Sequence, residues 1–193
     1  MELKLKPHQI SAIRKMHNGC ILCGGTGSGK SITGLAYYFI QNGGKLNPMT
    51  KMKNPKDLYI ITTAKKRDSG EWIGDMSWFY LTPDDKSKIY DHKVVIDSWN
   101  NIKKYANVQN SFFIFDEQRV VGYGAWTKAF LKIAKSNEWI LLSATPGDNY
   151  MDYMPVFIAN GFYKNKSEFT AEHCVYSRFS KFPQIERFIG TER

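Results

Sequence analysis

The sequence is poor in cysteine and lacks long apolar runs, and each shortage excludes a class of protein. Three cysteines occur in 193 residues, which is too few, and an odd number, for the disulfide framework of a small secreted domain. No apolar stretch reaches the length of a membrane span, and residues 1–7, MELKLKP, lack the apolar core of a secretory signal. We therefore expect a cytoplasmic protein without a membrane partner.

Clustered metal ligands are also missing from the sequence. Cys20 and Cys23 have C-x-x-C spacing, but no second cysteine pair follows to complete a zinc site. We interpret them as thiols buried in a core strand. The four histidines are scattered, and they are His8, His17, His92 and His173. We expect ordinary surface or helix-cap histidines in every case except His8, which neighbours a motif described below.

Acidic residues are outnumbered by basic ones. The chain has 27 lysines and arginines against 18 aspartates and glutamates, a formal net charge of +9. This excess favours a polyanionic partner, and the inference gains weight where a nucleotide-dependent motor motif accompanies it. The length predicts one domain, or one domain with a small appendage, and a substantial core, and internal repeats and low-complexity tracts are absent.

Short apolar runs alternate with segments of helical periodicity along the chain. The predicted strands are 19–23, 58–61, 94–96, 111–115 and 140–142, and the predicted helices are 7–17, 32–41, one that runs from residue 64 through Trp72, and 125–135. Repeated strand and helix units predict an α/β fold with a mainly parallel sheet and helices on both faces. Residues 44–56 hold two prolines and four lysines without periodicity, so we expect an exposed loop there.

Residues 24–31 read GGTGSGKS, which is the G-x-x-x-x-G-K-S spacing of a phosphate-binding loop. Glycines let backbone N–H groups turn toward anionic oxygens, and the lysine supplies a mobile cation to the β- and γ-phosphates. The loop lies between a predicted strand and a predicted helix, so the phosphates would meet a helix N-terminus. The residues that we assign to binding a nucleoside triphosphate are Gly25, Thr26, Gly27, Ser28, Gly29, Lys30 and Ser31.

The apolar run FFIF at 112–115 is followed by Asp116 and Glu117. Carboxyl ends of parallel strands form the edge where open α/β sheets bind ligands, so both carboxylates are expected beside the phosphates. We expect Asp116 and the hydroxyl of Ser31 to hold Mg²⁺. Glu117 would orient and deprotonate the attacking water, because phosphoryl transfer depends on in-line positioning. The predicted catalytic residues are therefore Lys30, Asp116 and Glu117.

These motifs, together with others in the same order, resemble those of superfamily two helicases and translocases. Residues 5–9, LKPHQ, are similar to the adenine-reading element of that family. Residues 62–65, followed by Gly-Glu-Trp at 70–72, are similar to the motif that contacts the nucleic-acid backbone. Residues 95–100, VIDSWN, stand where a second contact motif is found, and residues 143–146, SATP, match the motif that couples hydrolysis to movement.

The resemblance implies roles for individual residues. Gln9 would read the base edge of adenine, because a side-chain amide can both donate and accept there, and Ser143 and Thr145 would couple hydrolysis to movement. The implied nucleic-acid contacts are Thr63, Lys65, Ser98 and Trp99. Tryptophans at 72, 78 and 99 have the chemistry to stack on bases, but core packing is the preferred interpretation.

Residues 147–169 are similar to the Swi/Snf-type continuation, and the chain most resembles a phage-encoded, Swi/Snf-related helicase of the host bacterial cytoplasm. Gln118 and Arg119 depart from the DEAD and DEAH spellings, which leaves the subfamily open. The resemblance implies a RecA-like P-loop NTPase lobe over residues 1–175, with ATP and Mg²⁺ as ligands and DNA preferred over RNA. It also implies a basic connector over residues 176–193 and a second helicase lobe C-terminal to this chain.

Two other functions stay open at this point. A viral packaging ATPase also joins a phosphate-binding loop to an Asp-Glu strand, although the Pro-His-Gln lead-in and the long Swi/Snf-like tail are not expected in it. A non-enzymatic module that binds nucleotide or DNA would use the same residues. Because the family's second lobe supplies the arginines that reach the γ-phosphate, the first lobe alone is expected to bind Mg²⁺-ATP and hydrolyse it barely above background.

Overall fold

The computed structural model describes residues 3–83, 89–117 and 124–191. Its strands are β1 (Ile21–Cys23), β2 (Lys45–Leu46), β3 (Met49–Thr50), β4 (Leu58–Thr62), β5 (Val94–Ser98), β6 (Phe112–Asp116), β7 (Glu138–Ser143), β8 (Cys174–Tyr176) and β9 (Ile185–Phe188). Its α-helices are α1 (Pro7–Lys15), α2 (Lys30–Gln41), α3 (Ala64–Asp68), α4 (Glu71–Ser77), α5 (Ala125–Ala134), α6 (Met154–Ala159) and α7 (Lys166–His173). Two 3₁₀ helices cover Trp99–Tyr105 and Tyr150–Tyr153.

Five strands form one parallel sheet in the order β1-β7-β6-β4-β5. The strands β4 and β6 are buried along their whole length, as expected where helices cover both faces of a parallel sheet. The predicted α/β architecture, with its mainly parallel sheet, is confirmed.

Alternate residues of the strands enter two separate cores, one on each face. On one face, Ile60 and Ile114 pack with residues of α2 such as Phe39. On the other, Ile61 and Phe115 pack with Phe130 and other residues of α5. Side chains of a strand point alternately to opposite faces, so each central strand contributes to both cores.

The first strand departs from the prediction of a fully buried run. β1 lies at the edge of the sheet and is three residues long. Cys20 is half-buried and Cys23 is exposed, so the prediction of two buried thiols is wrong. An edge strand has one neighbour only, which leaves its last residue open to solvent.

A third, smaller core lies in the C-terminal part of the chain. Met154, Phe169 and Cys174 are its buried members, and Phe188 packs against them. The strands β8 and β9 pair antiparallel beside this core, and the predicted boundary between residues 175 and 176 falls inside β8. Of the predicted connector 176–193, residues 192 and 193 lie outside the described residues.

Three local predictions need correction. Residues 44–56 contain the short hairpin of β2 and β3 and the buried Met52, so they are not simply an exposed loop. The single helix predicted through Trp72 is two helices, because Gly70 adopts a left-handed φ of 72° between α3 and α4. His173 is buried instead of lying at the surface.

No helix among the described residues is both long enough and apolar enough to cross a membrane.

Candidate functional site

The phosphate-binding loop joins β1 to α2, as predicted. Gly29 caps the N-terminus of α2 with a φ of 77°, and Gly27 has a φ of 76°. These are left-handed conformations, which glycine adopts without the steric cost that a Cβ would add. Nothing lies within 4 Å of the position that a Cβ on Gly25 would take. The loop therefore has the backbone shape and the open space that an anionic ligand needs.

Lys30 is folded back onto this loop. Its Nζ donates hydrogen bonds to the carbonyl oxygens of Gly24 at 2.6 Å and Gly25 at 2.9 Å. Those two bonds hold the cation over the loop. Contact of Lys30 with β- or γ-phosphates would replace them.

The lead-in helix α1 is bound to the loop through Gln9 and His8. The Gln9 amide accepts a hydrogen bond from the Lys6 N–H at 2.7 Å and donates one to the Gly29 carbonyl oxygen at 3.4 Å. His8 Nε2 lies 3.3 Å from the Ser28 carbonyl oxygen. Gln9 is buried, so this structure uses it to position the loop. Its role in reading adenine stays a prediction.

Asp116 ends the central strand β6 and is fully buried, with 0% of its surface exposed. Its Oδ2 accepts a hydrogen bond from the Thr62 hydroxyl at 2.8 Å and pairs with Lys66 Nζ at 2.9 Å. Its Oδ1 has no hydrogen-bond partner among the described residues. A buried carboxylate oxygen without a partner is costly, and a divalent cation would satisfy it.

Glu117 follows directly in a left-handed conformation, with a φ of 52°. Its N–H donates to the Leu142 carbonyl oxygen at 3.0 Å, and its side chain is exposed and lines the cleft described below. Residues other than glycine rarely adopt a positive φ, and those that do are concentrated at active sites. The backbone thus turns the second carboxylate out of the core. Residues 118 and 119, where the motif departs from the family spellings, lie outside the described residues.

Lys66 is a member of the site that the sequence analysis missed. It lies on α3 and pairs with both carboxylates, at 2.9 Å from Asp116 and 3.4 Å from Glu117. Burial opposes the charge of Lys66, but hydrogen bonds and charges of the two carboxylates outweigh it and raise the pKa of the ammonium group. The two adjacent lysines after β4 were the only sequence signal. Lys66 reaches the carboxylates because β4 lies beside β6, and the order of the strands cannot be read from the sequence.

A cleft of about 750 Å³ runs along this edge of the sheet. The predicted residues that line it are Thr26, Gly27, Gly29, Lys30, Ser31, Glu117, Ser143 and Thr145. The lining residues that were not predicted are Ile32, Lys66, Glu71, Asp75, Trp126 and Ala144. A volume of this size suits a ligand as large as a nucleotide.

Glu71 and Asp75 form an acidic wall of the cleft on α4. They are four residues apart, so their side chains share one face of the helix. Burial, and to a lesser extent Glu71, raise the pKa of the Asp75 carboxyl, while Lys66 opposes the shift. Glu71 belongs to the Gly-Glu-Trp motif but had no predicted role, and Asp75 lies beyond that motif.

The donor set at this edge fits Mg²⁺ bound together with phosphates. Mg²⁺ is usually held by one or two carboxylates and by substrate oxygens. Asp116 Oδ1 lacks a hydrogen-bond partner among the described residues and is buried, so Asp116 does not itself line the cleft, whereas Glu117, the next residue, lines it together with Ser31. The described residues contain no group of three or more histidine, cysteine or acidic side chains able to hold a metal alone. The metal would therefore depend on the phosphates for most of its ligands.

The SATP segment leaves β7 next to the phosphate-binding loop. Ser143 pairs with Cys23 across the β1–β7 register, and its carbonyl oxygen accepts a hydrogen bond from the Gly24 N–H at 3.2 Å. The Ser143 hydroxyl accepts one from the Thr145 N–H at 3.1 Å. A shift of this segment would therefore move the start of the loop directly.

The structure divides the four predicted nucleic-acid contacts. Lys65 is exposed on α3, and Thr63 caps that helix by accepting a hydrogen bond from the Lys66 N–H at 3.2 Å. Ser98 is buried, and Trp99 is only 4% exposed, with its Nε1 donating to the Asp116 carbonyl oxygen at 3.0 Å. The Trp99 ring is thus unavailable for base stacking, and its place in the core confirms the packing interpretation, as does the burial of Trp72.

Asp97, beside those residues, joins α3 to β5. It pairs with Arg67 at 3.2 Å. Three further donors reach its carboxylate: the Asn101 amide at 2.8 Å, the Tyr105 hydroxyl at 2.6 Å and the Ser98 N–H at 2.7 Å. Burial alone would raise the pKa of Asp97, but these hydrogen bonds outweigh it and lower the pKa below the usual carboxyl value. The VIDSWN segment therefore has a structural role in fixing α3.

The fold is similar to that of two solved ATPase and helicase domains. One is the Sulfolobus solfataricus SWI2/SNF2 ATPase core in complex with double-stranded DNA, with a TM-score of 0.66 and 16% identity, covering 90% of this chain and 39% of that one. The other is the Pyrococcus furiosus Hef helicase domain, with a TM-score of 0.50 and 17% identity, covering 88% of this chain and 41% of that one.

No sequence-family model and no curated protein sequence matches the chain. At identities of 16% and 17% the likeness concerns the fold, and it supports the RecA-like α/β architecture predicted from the sequence. The chain spans 39% and 41% of the two structures it resembles, so it matches only part of each.

Proposed function

We propose that this chain is the ATP-binding lobe of an ATP-dependent helicase or translocase that moves on nucleic acid, with DNA preferred over RNA. The observation that carries the proposal is the meeting of three motifs at one cleft. The phosphate-binding loop, the Asp116–Glu117 pair and the SATP segment come from three neighbouring strands of the sheet. Their relative positions give each a distinct part in hydrolysis.

The loop and Lys30 bind and neutralise the phosphates, and Ser31 and Asp116 hold Mg²⁺. When bound, Mg²⁺ supplies charge neutralisation at the β- and γ-phosphate oxygens. Glu117, which faces the cleft, accepts a proton from the attacking water. Gln9 reads the adenine edge when the base replaces its hydrogen bonds to Lys6 and Gly29. Thr63 and Lys65 contact the nucleic-acid backbone, and Ser143 and Thr145 transmit the state of the nucleotide.

The proposal includes a second lobe C-terminal to this chain and a first lobe covering residues 1–175. The connector over 176–193 begins within the β8–β9 hairpin, which packs on the third core of the first lobe. An arginine reaching the γ-phosphate from another lobe contributes on the order of 10³–10⁵ in rate. The phage origin and the Swi/Snf-type subfamily stay predictions from the sequence.

The test compares the chain alone with the same chain joined to its downstream lobe. The chain alone should bind Mg²⁺-ATP more tightly than Mg²⁺-GTP and hydrolyse it barely above background, with or without DNA. The joined protein should show DNA-stimulated hydrolysis. Rapid turnover by the chain alone would contradict the two-lobe arrangement, and the absence of turnover in both would favour a non-enzymatic binding module.

A further inference from the structure

The turn between β8 and β9, residues 177–184, has a composition unlike the rest of the C-terminal region. It reads SRFSKFPQ, with two cations, two phenylalanines and no acidic residue. We call it the hairpin loop. The functional site described above does not use it, and none of the predicted nucleic-acid contacts lies in it.

Both phenylalanines of the hairpin loop project into solvent. Phe179 is 100% exposed and Phe182 is 75% exposed, and Arg178 and Lys181 are exposed beside them. Burying a phenylalanine side chain stabilises a fold, and here two such side chains within four residues stay in solvent. Single exposed apolar residues are ordinary, but two rings alternating with two cations make a surface of defined chemistry.

The hairpin loop is held in place at its base. The Ser177 N–H donates to the Gln184 carbonyl oxygen at 2.9 Å and closes the turn. Within it, the Phe179 N–H donates to the Ser177 hydroxyl at 3.3 Å, and the Phe182 N–H donates to the Ser180 hydroxyl at 3.4 Å. The strands below it pack on the third core through Phe188. The rings are therefore presented from an anchored hairpin.

We propose that the hairpin loop is a stacking site for single-stranded nucleic acid. Aromatic rings stack on unpaired bases of any sequence, and flanking cations neutralise the adjoining phosphates. A duplex keeps its bases stacked on each other and offers no face to these rings. Phenylalanine and arginine are also enriched in protein interfaces, so the choice of partner depends on the charge: two cations without an acidic residue suit a polyanion. This inference rests on the proposed function, since it adds a further contact to the nucleic acid that the proposed motor would bind.

The experiment measures binding of the 193-residue chain to fluorescently labelled oligothymidine at low salt by anisotropy. An abasic strand of equal length keeps the phosphates and removes the rings to be stacked. The test variant is Phe179→Ala/Phe182→Ala, and the matched control is Phe162→Ala, which removes a ring that is 70% exposed between α6 and α7. Thermal melting shows that each variant is folded, and ATP binding should be equal in all of them.

The wild type and the control should bind oligothymidine more tightly than the abasic strand. The double variant should bind oligothymidine at least about tenfold more weakly, because stacking contributes roughly 1–3 kcal/mol per base. It should bind the abasic strand as the wild type does. In a second variant, Arg178→Gln/Lys181→Gln, the slope of log affinity against log salt should become shallower by about 0.7 for each phosphate that the protein no longer neutralises.

An unchanged affinity of the double variant for oligothymidine, with the wild type binding normally, overturns this inference alone. A wild type that binds neither strand at low salt contradicts the nucleic-acid part of the proposed function and overturns this inference with it. Equal loss in Phe162→Ala also overturns it, because the effect would then follow from any exposed ring.

Discussion

The carboxyl edge of the sheet and the C-terminal hairpin present the side chains that we propose to be functional in opposite ways. At the sheet edge, Asp116 is buried and its partners Thr62 and Lys66 come from sequence positions about fifty residues away. In the hairpin loop, Phe179 and Phe182 are exposed, and their N–H groups donate hydrogen bonds to serine hydroxyls of the same turn. The first region is positioned by the whole fold and the second by its own backbone.

This difference suggests a division of labour. Catalysis needs groups fixed within tenths of an ångström, and side chains at the ends of rigid strands satisfy that need. A contact that must accept any base in a moving strand gains from exposure and from rings that tolerate sequence changes. The predictions below test whether the two regions can be altered independently, beginning with the largest expected effect.

The largest effect is expected from Glu117→Gln. The amide keeps the size and hydrogen-bonding capacity of the side chain but cannot accept a proton from water, so turnover should fall by about 10²–10⁴. The measurement is steady-state ATP hydrolysis in the protein joined to its proposed second lobe, with ATP retention followed in parallel. The nucleotide should stay bound and unhydrolysed.

The control for that variant is Glu186→Gln, which makes the same chemical change at an exposed position of β9. It should leave hydrolysis unchanged. Full turnover by Glu117→Gln would place the base elsewhere, and a comparable loss in Glu186→Gln would show that the hairpin takes part in the chemistry.

The sequence predicted the five central strands, the phosphate-binding loop and the Asp-Glu pair because each is written in contiguous residues. Apolar runs such as 112–115 and the GGTGSGKS motif can be recognised from consecutive residues alone, without knowing which elements pack against them. The order of strands in the sheet is not local. Lys66 pairs with Asp116 because β4 lies beside β6. The spacing of residues along the chain does not indicate that these two strands are neighbours.

Burial was predicted wrongly where the position of a strand in the sheet, rather than the apolar character of its residues, determines exposure. Cys23 belongs to an apolar run but ends an edge strand and is exposed. Core packing of Trp99 was predicted correctly, but the hydrogen bond from its indole to the Asp116 carbonyl oxygen was not. Both outcomes depend on which strands flank a residue, and that information is absent from a single sequence.

The second prediction concerns Lys66→Met. Removing this cation leaves the buried Asp116 carboxylate with the Thr62 hydroxyl as its remaining hydrogen-bond donor among the described residues. Breaking a buried pair in this way costs about 3–5 kcal/mol. Urea unfolding should show the loss, and added Mg²⁺ should restore more stability to the variant than to the wild type, because the metal replaces the missing positive charge.

Lys65→Met is the matched control, since it removes an exposed cation one position earlier on the same helix. It should leave the stability and the Mg²⁺ response close to those of the wild type. If Lys66→Met were as stable as Lys65→Met, the ion pair at the sheet edge would contribute nothing to the fold.

The third prediction acts on the hairpin side of the comparison. His173 ends α7 and connects it to neighbouring segments through hydrogen bonds with the Tyr163 hydroxyl and, at 2.9 Å, the Ile189 carbonyl oxygen. His173→Leu removes both bonds and should lower the free energy of unfolding by about 1–3 kcal/mol. ATP affinity, measured by titration calorimetry below the melting transition, should not change.

The exposed His17 provides the control, and His17→Leu should affect neither quantity. A fall in ATP affinity in folded His173→Leu would mean that the hairpin region and the sheet edge are energetically coupled, and the division of labour argued above would fail.

The smallest effect is expected from Asp97→Asn, which tests the connection between α3 and β5. The carboxyl pKa of Asp97 is lowered in the folded protein from the ordinary 3.8. A lowered pKa means that the charged form stabilises the fold above about pH 3.8 and that this contribution disappears as the pH falls through the folded value. At neutral pH the variant should lose about 1 kcal/mol, and the difference from the wild type should shrink steadily below about pH 4. Urea unfolding across that range measures it, with the exposed Asp91→Asn as the control. A difference that stayed constant from about pH 7 to about pH 3 would show that Asp97 acts through shape alone, and α3 would then be held at the sheet edge without help from its charge.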